Sequence, residues 1–413
     1  MKKLLWPICF LLSPFFAFTQ GCPHLPVVMI HGFLGAGDNY SPLASQLAAK
    51  GYCPNYLYVY DWNTLARNTD AEVKRLDSVI AAICKTTGAT QVDLVGHSAG
   101  GTLAYSYLND SLRSQRVAHY IHIGSRPMKQ PAGFGGKIPT LNIYSSKDRT
   151  IQGSDIPGAK NSTFNSFDHF GLVTADSVAN AVFGFIQNGN LPAAPKQRQQ
   201  GVSTITLRVI KMGENIPDSG AALTYQRLNQ KGEKIGKSQS AISNPQGEAQ
   251  LQNIDSNTPY LISCQPISGR PVAYFYPTLS VGPVPAYLRT LPATGMVNML
   301  LGGIPKSEEA AALVFFNARS AISPDRDILL LNGDTLNTAT ITPLSKTVVA
   351  LFLYDNGDKK TSQQQQGLFG QAPFMNGVDY YIPATGTFTL QWQQSTYTLP
   401  AIPSKEYVTV IVL

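Results

Sequence analysis

Histidine is scarce in this chain, with six among 413 residues, and none follows His169. Any chemistry that needs an imidazole is therefore confined to the N-terminal part. Cysteine is rarer still, at five residues, and no cysteines or histidines fall at metal-ligand spacing, so neither a metal nor any other cofactor is expected. Charged residues make up only 14% of the chain, and its formal charge of +7 is spread without a Lys/Arg block. Nucleic acid is thereby excluded as a partner. Beyond the first residues no apolar run approaches the ~20 residues that a transmembrane helix needs. What is plentiful is apolar side chains (43%), with 35 glycines and 28 prolines, which is material for a sizeable core with many turns. The length suits two or three domains.

Met1-Lys2-Lys3 and the apolar stretch up to Phe18 read as a secretory signal peptide over 1–20, with cleavage near Ala17-Phe18-Thr19. The protein is accordingly expected to be secreted, extracellular or periplasmic. A lipid anchor at Cys22 is the minor alternative, since Thr19-Gln20-Gly21 matches a lipoprotein signal poorly; an uncleaved anchor is another. Cys9 would leave with the leader, and Cys22, Cys53, Cys84 and Cys264 would face an oxidising compartment. Three pairings are formally open. Cys22 opens the first core strand and Cys53 precedes the adjacent one, so a Cys22–Cys53 bridge is expected, with Cys84 and Cys264 left as thiols.

The stretch V-D-L-V-G-H-S-A-G-G (92–101) organises the N-terminal part. An apolar run ends in Gly96-His97-Ser98-Ala99-Gly100 and a helix-compatible segment follows, which is the strand–turn–helix context of a G-x-S-x-G nucleophile elbow. The glycines make room for the sharp turn, and Ser98 is the expected nucleophile. Upstream, the apolar run Pro26-Val27-Val28-Met29-Ile30 predicts a strand buried on both faces. It feeds the loop His31-Gly32-Phe33-Leu34-Gly35-Ala36-Gly37, where no Gly-Lys-Ser/Thr follows to make a phosphate loop. As an oxyanion loop it would offer the Phe33 N–H, and Ala99 after the nucleophile would offer a second. Helices are predicted over 40–50, 69–87 and 174–187, and strands over 56–60, 117–123 and 140–144. This alternation implies a parallel sheet covered on both faces.

Asp148, in Lys147-Asp148-Arg149, lies just past a strand's C-terminal end, where open α/β sheets place their sites. Asp155 and Asp168 compete with it. His169 follows in the loop Phe167-Asp168-His169-Phe170-Gly171-Leu172. The order Ser98, Asp148, His169 is that of α/β-hydrolases. His31 and His97 are tied to their turns and are expected to support them, while His24, His119 and His122 carry no signal. Loops at this end of the sheet would contribute Phe33, Leu34, Phe134, Ile151, Phe170 and Leu172 to an acyl-binding rim.

Residues 24–189 resemble the small secreted bacterial lipases of the α/β-hydrolase fold in four pieces: P-V-V-M-I-H-G, V-D-L-V-G-H-S-A-G-G, I-Y-S-S-K-D and D-H-F-G-L. The resemblance implies a nucleophile, acid and base at Ser98, Asp148 and His169, with oxyanion donors at Phe33 and Ala99. Many such lipases have Ala-His-Ser where this chain has Gly96-His97-Ser98, which leaves the roles undisturbed. The segment between residues 123 and 140 is too short for a helical cap.

Residues 191–200 are a linker by composition, and beyond them the pattern changes to the alternation of strands. The expected fold is an α/β-hydrolase with a doubly wound, mostly parallel sheet at 21–190. A β-sandwich at 201–292 and a C-terminal β domain, sandwich or barrel, at 293–413 would follow, split near Pro292-Ala293-Thr294-Gly295. The arrangement is similar to archaeal-type long-chain lipases with a C-terminal β-barrel. The expected function is hydrolysis of carboxylic esters by a serine hydrolase, most simply a lipase acting on a lipid or ester substrate at a lipid–water interface. A polyester or aryl-ester carboxylesterase is the alternative, and an inactive lipid- or surface-binding protein the reading from another class. The histidine-free remainder would supply substrate reach, so that a chain ending near Asn190 would keep its activity on short esters.

Overall fold

The computed structural model describes residues 22–187, 202–370 and 372–413. The expected leader at 1–20 and linker at 191–200 lie outside the described residues. Six parallel strands form the first sheet in the order β2-β1-β3-β4-β5-β6. They are β1 (Val27–Ile30), β2 (Leu57–Tyr60), β3 (Val92–His97), β4 (Val117–Ile123), β5 (Thr140–Ser145) and β6 (Lys160–Phe164). Five helices accompany them: α1 (Ser41–Ala49), α2 (Asp70–Thr87), α3 (Ala99–Leu108), α4 (Ser111–Ser114) and α5 (Asp176–Ile186). Alternation along β1 divides the core in two. Val27 and Met29 pack with Leu43, Leu47, Val178 and Val182 of α1 and α5. Val28 and Ile30 pack with Leu76, Ile80, Leu103 and Tyr107 of α2 and α3. Strands covered on both faces read as continuous apolar runs, which is why β1 and β3 are legible. α2 buries Val73, Leu76, Ile80 and Ile83, and ends at Gly88, whose φ of 72° suits a glycine C-cap.

β6 is the strand that the sequence does not announce. It is a half-exposed edge that pairs, among the described residues, only with β5, and its sequence Lys-Asn-Ser-Thr-Phe lacks the apolar run of a buried strand. A disulfide joins Cys22 to Cys53 at the entrances to β1 and β2, while Cys84 and the buried Cys264 are free thiols.

The remainder is β-rich, but it is not two separate modules. An eight-stranded sheet runs in the order Met375–Asp379, Ala350–Tyr354, Leu313–Phe316, Val408–Val412, Val272–Tyr276, Tyr260–Gln265, Ala222–Leu228, Lys234–Ile242. Val272 pairs in register with Val408, so one sheet crosses the boundary expected at 292/293. Its core likewise mixes Leu207, Leu251 and Ile262 with Val314, Phe352 and Val410. The Pro/Gly signal near residue 292 marks a loop before a short helix, α6 (Gly295–Leu301). Loop and linker share a composition, and only pairing distinguishes them. A three-stranded sheet has β7 (Val202–Lys211) at its centre, and a four-stranded sheet includes Thr387–Trp392 and Ser395–Pro400.

The β region is anchored to the α/β domain by buried polar groups. Asp61, just past β2, accepts from Tyr287 Oη at 2.8 Å and is ion-paired with Arg208 at 3.0 Å. Arg289 donates to both oxygens of Asp38 at 2.7 and 2.6 Å, a bidentate geometry. Ile210, Val284 and Tyr287 complete the apolar cluster on the α1/α5 face of the first sheet.

Candidate active site

β3 ends in the turn that carries Ser98. Its backbone lies at φ 54°, ψ −123°, a region that few non-glycine residues adopt. The neighbouring glycines are required by close approach. A Cβ on Gly96 would lie 2.8 Å from Gly101 Cα and from the Tyr120 hydroxyl, and one on Gly100 would strike the carbonyls of Ile30 and His31. The Ser98 N–H donates to the Ile123 carbonyl at 3.0 Å, tying the elbow to β4.

Asp148 and His169 come from the loops after β5 and β6. Asp148 Oδ1 accepts from the N–H groups of Thr150 (2.8 Å) and Ile151 (2.9 Å), which holds the carboxylate and leaves Oδ2 for His169 Nδ1 at 2.7 Å. Both side chains are buried. With Nδ1–H donated to the acid, the free Nε2 of His169 can act as a base. His97, adjacent to Ser98, packs against His169 with ring centroids 4.6 Å apart and the rings tilted by 41°, and its Nε2–H donates to the His169 carbonyl at 3.0 Å. Burial, and then the nearby His169, hold the His97 pKa well below the ordinary value. It is a neutral prop for the loop. Asp168, the rival acid, accepts from the N–H groups of Phe170 and Gly171 at one oxygen. At the other it accepts from the Ala321 N–H and from Arg326, both at 3.1 Å. It braces the His169 loop against the β region. Asp155 takes the Tyr144 hydroxyl on the surface.

The loop after β1 passes directly over the elbow, since a Cβ on Gly32 would lie 2.8 Å from Ser98 Cβ. Fully buried His31 donates from Nδ1 to the Gly32 carbonyl (2.9 Å), and its Nε2 accepts from the Trp62 N–H (3.3 Å). Among the described residues neither the Phe33 nor the Ala99 N–H has a protein acceptor. Two unspent donors beside a buried serine are what an oxyanion would use.

Buried neutral histidines make stability depend on pH. Burial lowers the pKa values of His31 and His97, and brings that of His122 down to about 4. Between pH 6.5 and about 4 the unfolded chain binds a proton at His122 that the folded chain does not, and the lowered values of His31 and His97 act in the same direction, so stability falls as pH falls. For His122 the loss is about 1.4 kcal/mol per pH unit. His119, raised by its hydrogen bond to Asp93, and Asp93, raised by burial, act in the opposite direction. Denaturant unfolding should therefore give a clearly lower midpoint at pH 5 than at pH 7.5, and an equal midpoint would refute this linkage.

The rim differs from the one expected. Phe33, Leu34 and Phe170 do line an apolar cavity of about 40 Å³, but its other walls include Val314, Phe316, Phe352, Met375 and Val410 of the β region. Phe374, at φ 65°, lies parallel to the His169 ring at 6.2 Å and edge-on to Phe170 at 5.6 Å. A wider apolar groove of about 260 Å³ shares Phe33, Leu34, Met212 and Met375 with this cavity and runs beneath Met296 and Met299 of α6. Phe134 does not belong here. It is 55% exposed, and its N–H donates to Ser114 Oγ near the start of β4. The loop after β4 has by then returned to the opposite end of the sheet. Leu172 is wholly buried in the core, and Ile151 lines neither cavity, serving Asp148 through its N–H. No sequence signal marks the β-region residues that replace them, because their place depends on how the two parts dock.

A family model described as the alpha/beta hydrolase fold matches residues 26–135, and a model for a C-terminal domain matches residues 302–411. Among solved structures, a lipase of Bacillus licheniformis is similar at 16% identity over 40% of this chain and 93% of its own, with a TM-score of 0.32. A CIB-like hydrolase from Thermoplasma acidophilum is similar at 17% identity over 39% and 86%, with a TM-score of 0.31. The thioesterase domain of the curacin biosynthetic pathway is similar at 17% identity over 40% and 92%, with a TM-score of 0.31. The matched model, the parallel sheet and the elbow agree: the N-terminal part of this chain has the alpha/beta hydrolase fold, and β-rich sheets follow it.

Proposed function

We propose that this protein is a secreted serine hydrolase that cleaves carboxylic esters of long acyl chains, a lipase. The observation that carries the reading is the buried His169–Asp148 pair at 2.7 Å, its imidazole lying 4.6 Å from the ring of His97, which precedes a serine held in the strained elbow conformation. In this reading Ser98 Oγ attacks the ester carbonyl while His169 Nε2 takes its proton. The tetrahedral oxyanion is held by the N–H groups of Phe33 and Ala99, each worth about 3 kcal/mol. The proton passes to the departing alcohol, and water then releases the acyl group by the same steps in reverse. Asp148 keeps the imidazole in its tautomer and stabilises the imidazolium.

The long-chain preference is supported by the walls. The cavity over Phe33 is lined mainly by apolar groups, but at about 40 Å³ it is too small for a chain. The adjoining groove of about 260 Å³ is larger than the ~150 Å³ cavity that holds a benzene. An acyl chain entering the groove gains about 0.8 kcal/mol per buried CH₂. Turnover of nitrophenyl esters should accordingly rise from two-carbon to eight-carbon and longer acyl groups, and Met375→Asp should flatten that rise. A profile that falls steadily with chain length would favour a short-chain or aryl esterase instead.

A further inference from the structure

Phe33, whose N–H is the proposed oxyanion donor, precedes a leucine in a conformation that leucine rarely adopts: Leu34 has φ 57°. Such a backbone persists only where its surroundings over-determine it, and here the surroundings come from another part of the chain. The Leu34 N–H donates to Thr64 Oγ1 at 3.0 Å, and the Thr64 hydroxyl donates to the Gly213 carbonyl at 3.3 Å. One residue further, the Gly35 carbonyl accepts from Asn215 Nδ2 at 2.7 Å. The same nitrogen donates to the Trp62 carbonyl at 3.1 Å and lies 3.3 Å from His31 Nε2.

Gly213 and Asn215 belong to a tight turn at the end of β7. It is closed by hydrogen bonds from the Asn215 N–H to the Lys211 carbonyl and from the Lys211 N–H to the Ile216 carbonyl, both at 2.9 Å. Asn215 itself has φ 55° and is 3% exposed. Two carbonyl acceptors fix which end of its amide is the donor. The other end, Oδ1, is buried without a hydrogen-bond partner. A buried amide that leaves its oxygen unsatisfied is oriented by what its nitrogen holds.

We infer that Asn215 is a positioning residue for ester hydrolysis, acting from the β region to keep the oxyanion loop in the conformation that aims the Phe33 N–H at Ser98. The inference rests on the serine mechanism proposed above. The β region then serves turnover itself, in addition to binding the acyl chain.

The test is made on the full-length protein with a two-carbon nitrophenyl ester, which does not draw on the acyl groove. Asn215→Gly keeps a residue that tolerates the turn's positive φ and removes only the amide. Thr64→Val removes the second link without changing side-chain shape. Each should lower kcat by roughly 10- to 100-fold, because small displacements of positioned groups act on the transition state. KM should change less than about threefold, as the loss falls on the transition state rather than on substrate binding. Inactivation by a phosphonate ester, which builds a tetrahedral oxyanion on Ser98, should slow in parallel. Both proteins are first melted, and if Asn215→Gly does not fold then Thr64→Val decides. Wild-type kcat and phosphonate rate in a folded variant would overturn the inference. Ser98→Ala separates the two readings: if it keeps turnover, the serine mechanism itself fails. If it is inactive while the Asn215 variant is fully active, only the positioning role fails.

Discussion

Ser98→Ala should hydrolyse nitrophenyl esters at least about 10⁴-fold more slowly than the native protein while melting at nearly the same temperature. The serine makes no structural hydrogen bond through its hydroxyl among the described residues, and its strained backbone is held by glycines on either side and by β4. His169→Ala should cost as much, and the double variant no more than either single one, because nucleophile and base act as one unit. Asp148→Asn should also cost about 10⁴-fold, through the wrong imidazole tautomer. That variant should still fold, since an asparagine oxygen can keep accepting from the two backbone N–H groups that Oδ1 serves at 2.8 and 2.9 Å. A folded Ser98→Ala protein with more than a tenth of native turnover would rule out the serine mechanism.

The second large effect reverses the expectation drawn from sequence. A chain ending near Asn190 contains every proposed catalytic residue, yet it should lose at least about 10²-fold of its activity even on a two-carbon ester. The truncation strips Asn215 from the oxyanion loop and removes Ala321, Arg326 and Phe374 from around the His169 loop. It leaves Asp38 and Asp61 without Arg289, Tyr287 and Arg208. It also uncovers the face that Ile210, Val284 and Tyr287 pack against. Soluble expression, circular dichroism and turnover of the acetate ester check this together. A soluble, cooperatively melting truncation with native turnover on the acetate would show that the α/β domain sets its own loops.

The α/β part was largely legible because its signals are local. The runs of β1 and β3, the spacing of Val73, Leu76, Ile80 and Ile83, and the glycines around Ser98 each declare their element within a few residues. Ser98, Asp148 and His169 stand at strand ends, so their shared location follows once the strands are parallel. What was illegible depends on distant pairing. β6 has no buried face to create a pattern. Phe134 was misplaced because a loop's residues change ends of the sheet as the loop returns. Phe374 and Asn215 look like ordinary turn residues until docking sets them against the His169 and Gly35 loops.

The position of the strand Val408–Val412 has a consequence for how this molecule comes into being. It follows its neighbours by nearly a hundred residues or more, yet it lies inside the eight-stranded sheet, parallel to Val272–Tyr276 on one side and Leu313–Phe316 on the other. Synthesis runs from the N-terminus, so the two halves of the sheet wait, unjoined, until this strand has been made. Pairings of such long sequence separation form slowly, because their loop-closure entropy is spent before any contact rewards it. The strand acts as a keystone. Until it is seated, the platform behind β7 is incomplete and the Asn215 turn has nothing firm to stand on. A polypeptide without this strand can thus carry Ser98, Asp148 and His169 and still lack the turnover proposed for them.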